Sequence, residues 1–167
     1  INTDLDGTGD CATDYSYTAP VGTDNCTPTT VLTSGFGSGG NFLLGTNTEL
    51  YTVVDASGNS ATCSFNITVE DNEDPQITCP VDVTINTDLD GTGDCATDYS
   101  YTAPVGTDNC TPTTILTSGV GSGGNFPVGT STELYTVTDA AGNSTSCSIN
   151  ITVVDNEDPS ISCPSDV

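Results

Sequence analysis

Lysine, arginine and histidine are absent from this 167-residue chain, as are methionine and tryptophan, yet 23 residues are acidic and the formal charge at neutral pH is −23. Without a cationic side chain, every carboxylate must be hydrated, hydrogen-bonded or neutralised by a bound cation. Such a surface is repelled by nucleic-acid phosphates and by anionic lipid headgroups, which excludes nucleic acid as a partner. The missing His and Lys also remove Ser–His, Cys–His and Schiff-base nucleophile systems. Zinc sites containing His are excluded, and no C-x-x-C spacing offers a Cys-only one. A carboxylate pair is the only acid–base device left, so the chain reads as not an enzyme. No apolar stretch approaches the roughly 20 residues that cross a bilayer, so this segment is expected not to insert in a membrane. It does not open with a charged and then apolar leader, so a signal peptide and any anchor are expected outside it.

What is abundant is cysteine and repetition. Eight cysteines suit an oxidising compartment, and the expected location is extracellular or the cell surface. Residues 1–83 align without a gap onto residues 85–167. Cys11, Cys26, Cys63 and Cys79 recur as Cys95, Cys110, Cys147 and Cys163, each displaced by 84 positions, and Ile1 to Thr30 is identical to Ile85 to Thr114. A period this long suits a whole small domain rather than one solenoid turn. The natural frame is expected to begin near Asp74-Pro75. That divides the chain into an incomplete first repeat over 1–73, a complete repeat over 74–157, and the first strand of a third over 158–167.

Within the complete repeat, Ile77 to Ile85 alternates apolar and polar residues, as does Cys147 to Val153, and Tyr99, Tyr101 and Ala103 form another inward row. Thr113 to Thr117 and Leu134 to Thr138 read as further strands. Gly, Ser, Pro, Asn and Asp clusters separate them, notably Ser118 to Asn125 and Asp139 to Asn143. No segment keeps a helical period. The expected fold class is all-β: tandem immunoglobulin-like β-sandwich domains of about seven strands each.

Cys79 and Cys147 fall on the inward faces of the expected first and last strands, which are neighbours in such sandwiches. Pairing them closes a long loop, a stabilisation of roughly 4 kcal/mol. Cys95 with Cys110, and by translation Cys11 with Cys26, are the remaining pairs within a repeat. If a straight strand separates Cys95 from Cys110, however, they lie at opposite ends of the sandwich. Either Pro104 to Asn109 folds back, or Cys95 bonds to the next repeat. Cys63 and Cys163 are expected to find partners in repeats outside this segment.

Two acidic clusters recur. One holds Asp4, Asp6 and Asp10, repeated as Asp88, Asp90 and Asp94; its Asp4, Asp6 and Thr8 at positions one, three and five, with Gly9 at the sixth, match the first half of a calcium loop. The twelfth position is Tyr15 rather than a bidentate Glu, and no helices flank the loop, so it is not an EF-hand. Asp71, Glu73 and Asp74, repeated as Asp155, Glu157 and Asp158, pack like charges where one repeat gives way to the next. The loops holding Asp108 and holding Asp139 and Asn143 should point toward the preceding repeat, and the Asp4–Asp10 loop toward the following one. The junction therefore collects hard oxygen ligands, and calcium is the expected cofactor. Asn66 and Asn150 lie in N-x-Thr sequons at outward strand positions and are candidate glycosylation sites.

Cys79-Pro80, Asp108-Asn109-Cys110, Asn125-Phe-Pro-Val-Gly-Thr130, Tyr135-Thr-Val-Thr-Asp-Ala-Ala-Gly-Asn143 and the trailing Val154-Asp-Asn-Glu-Asp-Pro159 resemble the hyalin repeat, or HYR, domain. The likeness covers essentially the entire chain in two registers. The first copy departs at Phe42-Leu-Leu-Gly45, where proline is replaced. The resemblance implies an immunoglobulin-like fold and roles in extracellular matrix, cell adhesion or large surface proteins, with no catalytic residues. The leading expectation is a secreted structural protein forming a rod or filament through its own repeats, with lateral or end-to-end assembly. The alternative is an adhesin or stalk module that binds carbohydrate or a cell-surface partner, although the absence of tryptophan leaves it without the usual aromatic platform.

Overall fold

The computed structural model describes residues 1–167 apart from 4, 6, 8, 88–90, 92, 166 and 167. All secondary structure among the described residues is β. The chain forms two compact units. Unit 1 holds Ile1–Pro75 with two later loops, Thr107–Pro112 and Thr138–Ser144; unit 2 holds Gln76–Gly106, Thr113–Val137 and Thr145–Val167.

In unit 1 the strands are β1 (Ala12–Tyr15), β2 (Thr29–Ser34), β3 (Gly40–Leu43), β4 (Gly45–Val54) and β5 (Ser60–Val69). β1 pairs with β3, and β2, β4 and β5 form a second antiparallel sheet. Val, Ile, Thr, Tyr and Phe dominate these runs because β-branched and aromatic side chains suit a pleated surface. Alternation sends Phe42, Ile67 and Val69 inward as the buried core, with Tyr15, Tyr17 and Phe65 packed on it. Asn2 bridges Glu70 in parallel, a fragment of the pairing that is fuller in unit 2.

Unit 2 is built on β6 (Val83–Asn86), β7 (Ala96–Tyr99), β8 (Thr113–Ser118), β9 (Gly124–Pro127), β10 (Gly129–Thr138) and β11 (Ser144–Val154), the last two reaching their shared turn in unit 1. One sheet has the order β6-β11-β10-β8 and the other pairs β7 with β9. β6 runs parallel to β11 with Ile151 opposite Val83. Phe126 from one sheet meets Ile149, Ile151 and Val153 from the other, all at most 1% exposed, with Val83, Ile85, Tyr99 and Tyr101 around them. This is an immunoglobulin-like two-sheet sandwich.

Several local expectations are corrected. The second repeat has six strands among the described residues rather than about seven. Ile77 to Val81 is not a strand: Pro80 lacks a ladder donor, and the chain joins the sheet only at Val83. The row Tyr99, Tyr101, Ala103 breaks after Tyr101: Tyr101 still packs on the core, with its amide donating to Ser122 Oγ at 2.8 Å, whereas Ala103 is exposed. Conversely, the expected Ser118–Asn125 loop ends at Gly124, where β9 begins and brings Phe126 into the core.

Candidate cation site beside a disulfide

The structure forms the Cys79–Cys147 bridge, which ties the segment preceding β6 to β11. It does not form Cys11–Cys26 or Cys95–Cys110. Cys11 is bonded instead to Cys110, 99 positions away, with Cα atoms 4.6 Å apart. The reason lies in the length of β4. The Cys11 carbonyl accepts from Leu44 N at the start of that strand. Cys26 sits just before β2, whose Thr29 pairs with Val54 at the other end of β4. Ten residues of strand, roughly 30 Å, therefore lie between the two cysteines. Cys26, Cys63, Cys95 and Cys163 remain as exposed thiols.

Around the Cys11–Cys110 bridge, unit 1 gathers oxygen atoms. Asp71 is only 6% exposed. Its Oδ1 accepts from Thr3 Oγ1 at 3.2 Å and Glu73 N at 3.1 Å. Its Oδ2 is buried and accepts no hydrogen bond. Ligating atoms of Asp71, Asp108 and Cys110 all lie within 4.8 Å of one another. Cys110 is committed to the disulfide, so the two carboxylates are the usable pair. Next to Asp108, Asn109 Nδ2 lies 3.5 Å from both Thr3 Oγ1 and the Asp10 carbonyl, while its own Oδ1 is buried and unpartnered.

The second loop is shaped by Asp139. Its Oδ1 accepts from Gly142 N at 2.6 Å and Asn143 N at 2.9 Å, and its Oδ2 from Asn143 Nδ2 at 2.9 Å. Burial pushes the Asp139 carboxyl pKa up, but these hydrogen bonds outweigh it and hold the group below the ordinary carboxylate value. Gly142, at φ +100°, makes the turn feasible. Asn143 Nδ2 then donates to the Asp71 carbonyl at 3.1 Å, and Ala140 N to the Cys110 carbonyl at 2.9 Å. The two loops thus lock to each other and to the Asp71 segment.

Asp71, Asp108 and Asn143 are therefore brought together, with Asp139 joined through Asn143 and Asp10 through its main-chain carbonyl. Glu73 and Asp74 are exposed. Asp94, Asp155, Glu157 and Asp158 line a separate cleft of about 400 Å³ in unit 2 beside Cys95. Asp4, Asp6, Asp88 and Asp90 lie outside the described residues. Asn66 is exposed, whereas Asn150 is half-buried, its Nδ2 donating to Asp82 at 3.1 Å.

Thr3 and Asn109 were not singled out as ligand-holding residues; only the adjoining Asp-Asn-Cys run hints at Asn109. Glu49 and Glu133 were also missed. Each is fully buried in the inward row of β4 or β10, a polar residue among Tyr and Val. That misplaced parity was the available signal.

The fit to a hard cation can be tested on these atoms. Oxygens up to 4.8 Å apart can share one ion at calcium's bond length of about 2.4 Å. A buried carboxylate oxygen without a donor needs a counter-charge, and the chain has no side-chain cation to supply it. The Asp71 and Asp108 carboxylates are close enough to share such an ion, and the buried, unpartnered Asn109 Oδ1 sits on the residue next to Asp108.

The HYR domain profile matches residues 7–69 and again 70–153. Hyalin of Strongylocentrotus purpuratus is 33% identical over 165 residues, covering 95% of this chain and 14% of that protein. Hyalin of Lytechinus variegatus is 32% identical over 164 residues, covering 95% of this chain and 30% of that protein. Among solved structures, a protocadherin gamma B7 extracellular fragment of cadherin domains 1–4 aligns at TM-score 0.36 and 16% identity, over 80% of this chain and 41% of that one. The chain thus spans well under half the length of each of these hyalins.

Proposed function

Because this chain belongs to the HYR domain family, whose members occur in extracellular and cell-surface proteins, we propose that it is a load-bearing segment of an extracellular rod. Its repeats are held in series by disulfides and by calcium at the Asp71 site. Adhesion-related repeat proteins need spacing and stiffness rather than catalysis, and the absence of His and Lys agrees with a non-enzymatic role.

The observation that carries this reading is Asp71 Oδ2. It is a buried carboxylate oxygen with no hydrogen bond, on a side chain whose carboxylate lies within 4.8 Å of that of Asp108, in a chain without side-chain cations. Asp71, Asp108 and Asn109 would hold the ion, and the ion would supply the missing positive charge. The Asn143–Asp71 hydrogen bond and the Cys11–Cys110 bridge keep these oxygens close, which lowers the ordering cost of binding. Extracellular modules use weak calcium sites of about 10⁻⁴–10⁻³ M.

The test is a calcium titration by calorimetry and thermal unfolding. At calcium about tenfold above Kd, the wild type should gain roughly 1.4 kcal/mol. Asp71→Asn should lose that gain while keeping the fold and the Cys11–Cys110 bridge. Small-angle scattering with and without chelator reads the rod. Equal calcium response in wild type and Asp71→Asn would remove the site, and scattering indifferent to chelation would remove the stiffening role.

A further inference from the structure

We propose that the Cys11–Cys110 bridge is a load bypass. Tension drawn along the chain leaves the backbone at Cys11, crosses to Cys110, and does not pass through the five strands of unit 1. Its use rests on the load-bearing reading above, its geometry on the two disulfides and not on calcium.

Connectivity sets this route. The two bridges close overlapping loops, Cys11 to Cys110 and Cys79 to Cys147. A chain pulled at Ile1 and Val167 extends no further than its shortest covalent path. That path runs from Ile1 to Cys11, over to Cys110, backward along the chain to Cys79, over to Cys147 and out to Val167. It uses roughly 60 of the 167 residues. Residues 12–78 lie off it. They hold β1 to β5 and the Phe42, Ile67 and Val69 core, which hang from the load path as part of a closed loop. Asp71 is among them, whereas Asp108 lies on the path.

Without the Cys11–Cys110 bond the path runs from Ile1 to Cys79 and from Cys147 to Val167, roughly 100 residues. Every strand of unit 1 then carries the tension in series, and only hydrogen bonds such as those pairing β4 with β5 resist it. With the bond, the part of unit 1 before Cys11 is loaded. Its attachments are the Asn2–Glu70 bridge and the 2.9 Å bond from Thr3 N to Glu70 O. The transfer point itself is anchored on both sides. Cys110 is fully buried, its N donating to Asp108 Oδ1 at 2.7 Å and its carbonyl accepting from Ala140 N at 2.9 Å. The Cys11 carbonyl accepts from Leu44 N at 3.4 Å.

In a longer array the 84-residue period repeats the device, with Cys26 bonded to a preceding repeat and Cys95 to a following repeat of the same chain. Roughly 15 residues per repeat, Cys95 to Cys110, then stay on this path. Such an array resists stretching while its sandwiches remain folded.

The experiment is single-molecule force extension of the full chain held at its two ends. The chain carries Cys26→Ser, Cys63→Ser, Cys95→Ser and Cys163→Ser, which removes the exposed thiols. At up to about 3.5 Å per residue, the bridged chain should stop at about 210 Å. Adding Cys11→Ser and Cys110→Ser should move the limit to about 340 Å and add an unfolding event from unit 1. The fully reduced chain should reach about 580 Å. A core variant separates load from length. Phe42→Leu should leave the bridged trace unchanged, yet lower the force of the added event in the Cys11→Ser/Cys110→Ser chain. Equal limits with and without the Cys11–Cys110 pair, or a bridged trace softened by Phe42→Leu, would overturn the bypass. Each trace is recorded with calcium and with chelator. A limit of about 210 Å in both keeps the bypass even where scattering removes the calcium stiffening. A longer limit beside chelator-sensitive scattering removes the bypass alone.

Discussion

The Tyr17 hydroxyl donates a 2.6 Å hydrogen bond to Glu49 Oε2, a carboxylate with no exposed surface. Phe36 N and Gly37 N donate to the same carboxylate at 2.8 Å each, so Glu49 pins the glycine-rich loop that follows β2. Glu133 does the same in the second repeat with Tyr101, Val120 and Gly121. In Glu49→Gln or Glu133→Gln, an amide NH₂ must face at least one of those donors. Each should cost roughly 1–3 kcal/mol, measured by denaturant unfolding, with exchange of the loop amides accelerating first.

Glu49 and three aspartates set the pH range. Burial pushes Glu49 up, but hydrogen bonds from Tyr17, Phe36 and Gly37 outweigh it and hold its pKa below 4.5. Asp139 is depressed likewise, Asp55 chiefly by the Asn59 side chain, and Asp82 by the Asn150 amide. A depressed folded pKa means the contribution is fully present above the unfolded value and is lost as pH falls through the folded one. Stability should therefore fall progressively below about pH 4.5. Tyr17 and Tyr101 are shifted the other way, mainly by burial, to well above the ordinary 10.0. Their contribution is full below that value and declines as pH rises above it. Tyrosinate absorbance should show these two of the six tyrosines ionising only with unfolding.

Gly35 has φ +117°, and a Cβ placed there would lie 2.3 Å from Glu49 Oε1; Gly119 repeats this at φ +124° and 2.5 Å from Glu133. Gly35→Ala or Gly119→Ala should destabilise by at least the roughly 1–3 kcal/mol of a strained backbone. Gly45→Ala meets no neighbour within 4 Å at φ +99° and should show the strain alone. Thermal unfolding of the three variants separates clash from strain.

Thr13 and Thr97 are fully buried with hydroxyls that make no hydrogen bond. Thr13→Val or Thr97→Val keeps the shape and removes an unsatisfied polar atom. Each should stabilise by about 1 kcal/mol, seen as a higher denaturant midpoint at unchanged slope.

The two disulfides should separate by experiment. Cys79→Ser with Cys147→Ser opens a bridge spanning 68 positions within unit 2 and should cost about 4 kcal/mol. Cys11→Ser with Cys110→Ser should release the Thr107–Pro112 loop and expose Asp71, read as faster amide exchange at Asn143 and Ala140.

Periodicity made much of the fold legible: inward rows such as Ile149, Ile151 and Val153 recur every second residue because a pleated strand turns each successive side chain to the opposite face. The 84-residue repeat, the all-β class, the oxidising location and the absence of nucleophile machinery all followed from residue types and spacing alone. Where Cys11 would pair stayed open between Cys26 and the next repeat, and the structure takes the second. Pattern specifies faces locally, but pairing depends on where ten residues of β4 carry a chain end and on which later loop returns to meet it. The calcium-like spacing at Asp4–Asp10 drew attention by its sequence, yet Asp71 became the candidate ligand because the Asp108 and Asp139 loops bury it. Asp155, in the same sequence context, stays exposed. Identical residues acquired different environments, because burial is a property of what covers a surface, and only the tertiary structure decides that.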